Sequence, residues 1–212
     1  MKKPINSKEE KSVDKKIGDR VSIRLTEPRV KPLPFSDWDE ELQKIWKKGI
    51  ENPTNPAARP VLNIFRTLAN HPKLFSRWRV FGNHVLSKSS LPPRDREILI
   101  LRIGWLCGSE YEWGQHVKIG KESGLTYEEI LRIIEGPDAA GWDKFDSTLL
   151  RAVDELFYNS FIFDATWNVL AEKYNTNQLM DLVFAIGQYN LVSWALNTLG
   201  VQRDKGFEGF PK

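Results

Sequence analysis

The chain has 212 residues, a formal net charge of +3 and one cysteine. That length suits one domain with a substantial core. A lone cysteine excludes an intrachain disulfide and a multi-cysteine metal site, and fits a reducing, cytoplasmic setting. Met1 to Arg20 is polar and lysine-rich, with none of the apolar centre of a secretory signal. No run approaches the ~18 apolar residues of a membrane span, since Arg102 interrupts Ile98–Leu106. Neither a membrane nor a nucleic acid is therefore an expected partner: the six lysines of the first sixteen residues read as a solvated tail.

In chain order, residues 1–18 read as a disordered basic tail. Arg20–Leu25 alternates polar and apolar residues but has no partner strand. Lys31-Pro-Leu-Pro34 is an extended linker. Ser36 is placed to cap a helix with Trp38, Leu42, Ile45 and Trp46 on one face, and Asn52–Pro56 is a loop. Residues 19–60 thus form an extension with one helix. Helical periodicity resumes at Val61, Leu62, Phe65 and Leu68. A further helix follows His71-Pro72, with Leu74, Phe75, Trp78, Phe81 and Val85 inward. His71 suits the start of that helix as a cap, and His84 suits its end.

Pro92-Pro93 opens a helix with almost no polar face, which predicts a central, buried position. Gly108 suits its end and Ser109 the start of the next. Thr126-Tyr-Glu-Glu129 is a capping-box pattern. Asp164 reads as an N-cap, and later helices are expected over Asp146–Phe161, Ala165–Tyr174 and Thr176–Gly200. No internal repeat, phosphate loop or βαβ alternation interrupts this, so the fold class is all-α. The eight tryptophans read mainly as core and interface aromatics.

Chemistry concentrates in Ser109-Glu-Tyr-Glu-Trp-Gly-Gln-His116. On a helix Ser109, Glu112 and His116 fall at i, i+3 and i+7 and share a face. Such side chains exchange protons near neutral pH. Ser109-x-x-Glu112 is equally a capping box, and Glu97, in a first helical turn beside Arg94 and Arg96, is equally a solvated ion pair. In one unbroken helix Glu97 and His116 would stand roughly 28 Å apart. They can meet if the chain turns at Cys107-Gly108, or across an interface between subunits. His71 and His84 lack ligand spacing, so no metal is expected.

Leu91-Pro-Pro-Arg-Asp-Arg-Glu-Ile-Leu-Ile-Leu-Arg102, Ser109–His116 and Gly124-Leu-Thr-Tyr-Glu-Glu-Ile130 together resemble the core of the carboxymuconolactone decarboxylase family, in the alkylhydroperoxidase D-like superfamily. The resemblance implies a domain over residues 61–201 built as an antiparallel helix bundle, with residues 202–212 as a C-terminal tail. It places the family's upstream glutamate on Glu97 and its histidine on His116. Where the peroxidase branch has a Cys-x-x-Cys pair, this chain has Ser109 and Glu112, so peroxide reduction by a disulfide loses its chemistry. The implied activity is a cofactor-free decarboxylase or related lyase of aromatic catabolism, acting on a small cyclic carboxylic acid or lactone. His116 would be the general acid, Glu112 its partner and Glu97 base or orienter. Ser109 and Tyr111 would bind substrate, with Trp105 or Trp113 as the apolar wall. The expected assembly is a homo-oligomer, a trimer or a hexamer built from it. The alternatives are a non-catalytic ligand-binding or assembly protein on the same fold, and a peroxidase-like antioxidant protein.

Overall fold

The computed structural model describes residues 25–50 and 61–211, and all regular structure there is helical. The tail at 1–18, the alternating stretch up to residue 24 and the loop at 52–56 lie outside the described residues.

A single 3₁₀ turn, Phe35–Asp37, precedes helix α1 (Glu40–Ile50). Asp39, rather than Ser36, caps it: Oδ1 accepts the amides of Glu41 and Leu42 at 3.0 and 3.2 Å, whereas Ser36 Oγ is spent on Asp37. Helix α2 (Asn63–Leu68) leads to α3 (Pro72–Asn83), where His71 Nδ1 accepts the Leu74 amide. The inward stripe of α3 and the π turn that continues it (His84–Lys88) is Phe75, Trp78, Gly82 and Val85. Leu74 and Phe81, expected inward, fall outside that stripe and are exposed, and Phe81 meets Phe184 edge-on. Trp38, Trp46, Phe65, Phe75 and Trp78 form one aromatic cluster, with ring centroids 4.9–6.5 Å apart.

Helix α4 (Pro93–Leu106) runs through the centre, as its lack of a polar face predicts; from Asp95 to Leu106 every residue but Trp105 is buried. It packs against α5 (Glu110–Glu122), α6 (Tyr127–Glu135), α7 (Lys144–Asn159) and α9 (Thr176–Leu199), while α8 (Asp164–Lys173) braces α7. Capping boxes at Thr126/Glu129 and Asn175/Gln178 open α6 and α9. Asp164 is the first residue of α8 and not its cap. Glu155 of α7 serves that end instead, accepting the Phe163 amide and the Thr166 hydroxyl.

Helix α9 corrects the expectation about span length: by length and composition it could cross a membrane. Half of its apolar window is buried inside the bundle, with Leu182, Ala185 and Ile186 among the most enclosed side chains.

Candidate active site

The turn between α4 and α5 creates the site. Gly108, at φ 61°, donates its amide to Trp105 O, and Ser109 donates its amide to Gly104 O, each at 2.9 Å. These two bonds are a Schellman motif, which needs a left-handed residue at the glycine. The reversal lays α5 back along α4. Glu97 and His116, nineteen residues apart, therefore meet within one chain: His116 Nδ1 lies 2.6 Å from Glu97 Oε2. The other ring nitrogen, Nε2, lies 2.8 Å from Glu112 Oε1, one helical turn earlier on α5.

All three side chains are buried, at 0% exposure for Glu97 and 4% for Glu112 and His116. Arg96 Nε donates to the far oxygen of Glu97 at 3.1 Å. The row is thus guanidinium, carboxylate, imidazole, carboxylate. Burial opposes a charged imidazole, but the carboxylates of Glu97 and Glu112 outweigh it, and the His116 pKa is pushed up to about 10 from its usual 6.5. Tyr189 stands edge-on to the imidazole, 4.8 Å between centroids. Its burial, reinforced by the two carboxylates, holds the phenol well above its ordinary range and so protonated.

Glu112 and His116 form part of the wall of a cavity of about 350 Å³, the size of a small-molecule site. Trp46, Phe65 and Trp78 supply its aromatic face, and Arg79, Gln188 and Tyr189 add polar groups. Tyr111 also lines it, but its hydroxyl is committed: it donates to Asp204 Oδ2 and accepts the Ile64 amide. Burial and Asp204 raise its pKa, so it too stays protonated.

Ser109 is buried with no hydrogen-bond partner for Oγ, and it is not among the cavity-lining residues. The Ser109–Glu112 capping box does not form. The Schellman turn already uses the Ser109 amide, and His116 draws the Glu112 carboxylate away. Trp105 and Trp113 meet Phe210 of the C-terminal segment edge-on, at 4.7 and 5.5 Å between centroids, and leave the cavity wall to other aromatics. The same segment crosses α5 at Gly114, where a Cβ would stand 2.4 Å from Glu208 O. Cys107 bonds Asn190 and lies outside the cavity lining. Among the described residues, no group of three or more His, Cys, Asp or Glu side chains is arranged to hold a metal ion.

Arg79, Trp46 and Phe65 were not singled out as site residues from the sequence. Their positions on α1–α3 carry no motif, and only the packing of those helices over α5 and α9 brings them to the cavity.

Residues 72–155, which include the whole Glu97–His116 stretch, match the carboxymuconolactone decarboxylase family. The fold is similar to that of a peroxidase-related protein from Silicibacter sp. TM1040, at TM-score 0.70 and 16% identity over 86% of this chain and 95% of that one. A peroxidase-related protein with an alkylhydroperoxidase core from Ralstonia eutropha JMP134 gives 0.69 at 14%, covering 83% and 93%. The debrominase Bmp8, solved with 2,3,4-tribromopyrrole, gives 0.66 at 14%, covering 85% and 94%. No curated protein matches the chain by sequence.

Proposed function

We propose that this chain, whose residues 72–155 match the carboxymuconolactone decarboxylase family, is a member of that family and a cofactor-independent lyase that decarboxylates a small cyclic carboxylic acid or lactone by acid–base chemistry. One observation carries this reading: an imidazole bonded at both nitrogens to buried carboxylates, on the wall of a largely apolar cavity. A similar fold holds a small aromatic ring, tribromopyrrole, in the debrominase Bmp8.

The roles follow from which atoms are free. Both His116 nitrogens are engaged, so the proton it can release is the one shared by Nε2 and Glu112 Oε1. Substrate loses carbon dioxide as the bond from ring carbon to carboxylate breaks, and the electron pair passes into a conjugated enolate. The shared proton then goes to carbon, leaving neutral imidazole and a Glu112 carboxylate, and solvent restores it. Glu112 touches substrate, His116 stores the proton, and Glu97 with Arg96 fixes the ring orientation. The carboxylate of Glu112 also repels a substrate carboxylate placed beside it, which favours its departure.

Peroxide reduction would need two thiols at positions 109 and 112, where Ser109 and Glu112 stand. The test is carbon dioxide release and deuterium uptake from heavy water across a panel of cyclic carboxylic and lactone acids. Turnover by the native chain, reduced ~10²–10⁴-fold by Glu112→Gln, supports the lyase. No turnover of any member favours the ligand-binding alternative.

The same reading includes a homo-oligomer. Met180, Phe184, Leu191 and Trp194 form an exposed apolar stripe along α9, at the spacing of a helix–helix seam. A trimer or hexamer by light scattering is the expected result, and a monomer at micromolar concentration contradicts it.

A further inference from the structure

Proton delivery from Glu112 serves the carbon that loses its carboxylate, but the electrons left behind collect on an oxygen. That oxygen needs a hydrogen-bond donor of its own, in place before the charge develops. Most donors beside the Glu97–His116–Glu112 row are already spent. Both His116 nitrogens are engaged by carboxylates. The Tyr111 hydroxyl and the Gln115 amide both donate to Asp204. Tyr189 of α9 is different. It lines the cavity and is 7% exposed. Its hydroxyl has no hydrogen-bond partner among the described residues, and only burial and the charges of Glu112, Glu97 and Arg96 act on it. Buried polar groups are nearly always satisfied, so a free phenol on a cavity wall marks a place for a ligand atom.

Position singles this phenol out. Tyr189 and Val192, three residues apart on α9, share the face that lines the cavity. The Tyr189 ring stands edge-on to the His116 imidazole, 4.8 Å between centroids. Of the charges that act on its hydroxyl, that of Glu112 is the largest. Trp46, Arg79 and Gln188 also line the cavity with a partnerless buried polar atom. No hydrogen bond or ring contact joins them to His116 or Glu112 among the described residues, whereas Tyr189 packs on His116 itself.

We propose that the Tyr189 hydroxyl donates a hydrogen bond to the substrate oxygen on which the enolate charge collects, while Glu112 delivers the proton to carbon. This rests on the lyase reading of the cavity. The bond from ring carbon to carboxylate breaks, its electron pair moves through the conjugated system onto the carbonyl oxygen, and carbon dioxide leaves. Tyr189 keeps its proton throughout, because burial and the neighbouring carboxylates disfavour a phenolate there. When the proton shared by Glu112 and His116 reaches carbon, the carbonyl re-forms and the hydrogen bond weakens. The bond is strongest where the charge is greatest, which is the condition for lowering the barrier rather than merely holding substrate. A cyclic acid with no carbonyl conjugated to the leaving carboxylate offers Tyr189 no acceptor and should not turn over.

The phenolate of 4-nitrophenol, a planar ring with one charged oxygen, tests this without turnover, against its uncharged methyl ether, 4-nitroanisole. The native full-length chain should bind the phenolate about tenfold more tightly than the ether. Tyr189→Phe keeps the ring against His116, and should lose that preference while binding the ether as before. Arg79→Met should keep it. The proposal is overturned by a native chain that shows no preference or binds no phenolate. It is equally overturned by a folded Tyr189→Phe that keeps the preference or loses both probes together, or by an Arg79→Met that abolishes the preference. The native and Arg79 measurements stand even if Tyr189→Phe fails to fold. With an acid that the native chain decarboxylates, Tyr189→Phe should lower kcat ~10²–10³-fold with KM little changed. The high-pH limb should stay in place, because His116 keeps both carboxylates. An unchanged kcat sinks the donor alone. A phenolate preference in a chain that turns over no acid sinks the lyase reading alone.

Discussion

Helix α4 carries two buried charge clusters, less than two turns apart, with opposite designs. At Arg102 the guanidinium is fully matched: Nε and one terminal nitrogen bond Asp154 at 2.7 and 2.8 Å, and the other bonds the carbonyls of Ile133 and Ile134, both at 2.9 Å. Gly136 lets it approach, since a Cβ there would stand 2.9 Å from the guanidinium. This cluster ties α4 to α6 and α7, has no mobile proton at neutral pH, and contributes no residue to the cavity wall. At Glu97 the charges alternate from Arg96 through Glu97 and His116 to Glu112. Two carboxylates flank one imidazole, the proton between them can move, and the far carboxylate reaches the cavity. Burial of charge is common to both. What marks function is a titratable group and a space for ligand beside it.

The contrast predicts effects on different observables. Glu112→Gln and His116→Gln should each lower turnover ~10²–10⁴-fold, and His116→Gln, which leaves two buried carboxylates without their cation, should lower the melting temperature as well. Arg102→Met should instead remove the guanidinium that bonds Asp154 and two carbonyls and destabilise the fold by about 3–5 kcal/mol, with turnover per folded molecule preserved. If Arg102→Met abolished turnover in material that melts normally, the division between the clusters would fail.

pH separates them next. His116 is protonated more readily in the folded chain than in the unfolded one, about 10 against 6.5. Its contribution to stability is therefore full below about 6.5 and is lost as pH rises through about 10. Chemical denaturation at pH 6, 8 and 10 should show that decline in the native chain. In Glu112→Gln the upper edge should move to lower pH, because one of the two raising charges is gone, and the high-pH limb of the rate profile should move with it. The smallest effect is expected at Ser109. Its hydroxyl makes no bond, so Ser109→Ala should change stability by within about 0.5 kcal/mol, where loss of a working N-cap would cost about 1 kcal/mol.

The helices, their order and the caps at His71 and Thr126 were legible because each rests on local chemistry. Gly108 ends one helix and Thr126 with Glu129 opens another through bonds that span only a few residues. Glu97, Glu112 and His116 were legible as candidates, but spacing alone could not say that the turn at Gly108 folds them together in one chain. The cap at Ser109 failed because a tertiary partner, His116, competed for Glu112, a contest that no local pattern reports. Trp105 and Trp113 were misplaced for a related reason. Proximity in sequence to the motif put them in the site, whereas Trp46, Phe65 and Trp78 reach the cavity from helices that carry no motif.

The central claim is that His116 is held as a charged proton store by two carboxylates. The chain has three histidines, so a nitrogen-resolved NMR titration of the imidazoles can follow each one. The account predicts that His116 remains doubly protonated through pH 8 and titrates near 10, and that Glu112→Gln lowers that midpoint. A His116 that loses its proton near 6.5 would contradict it.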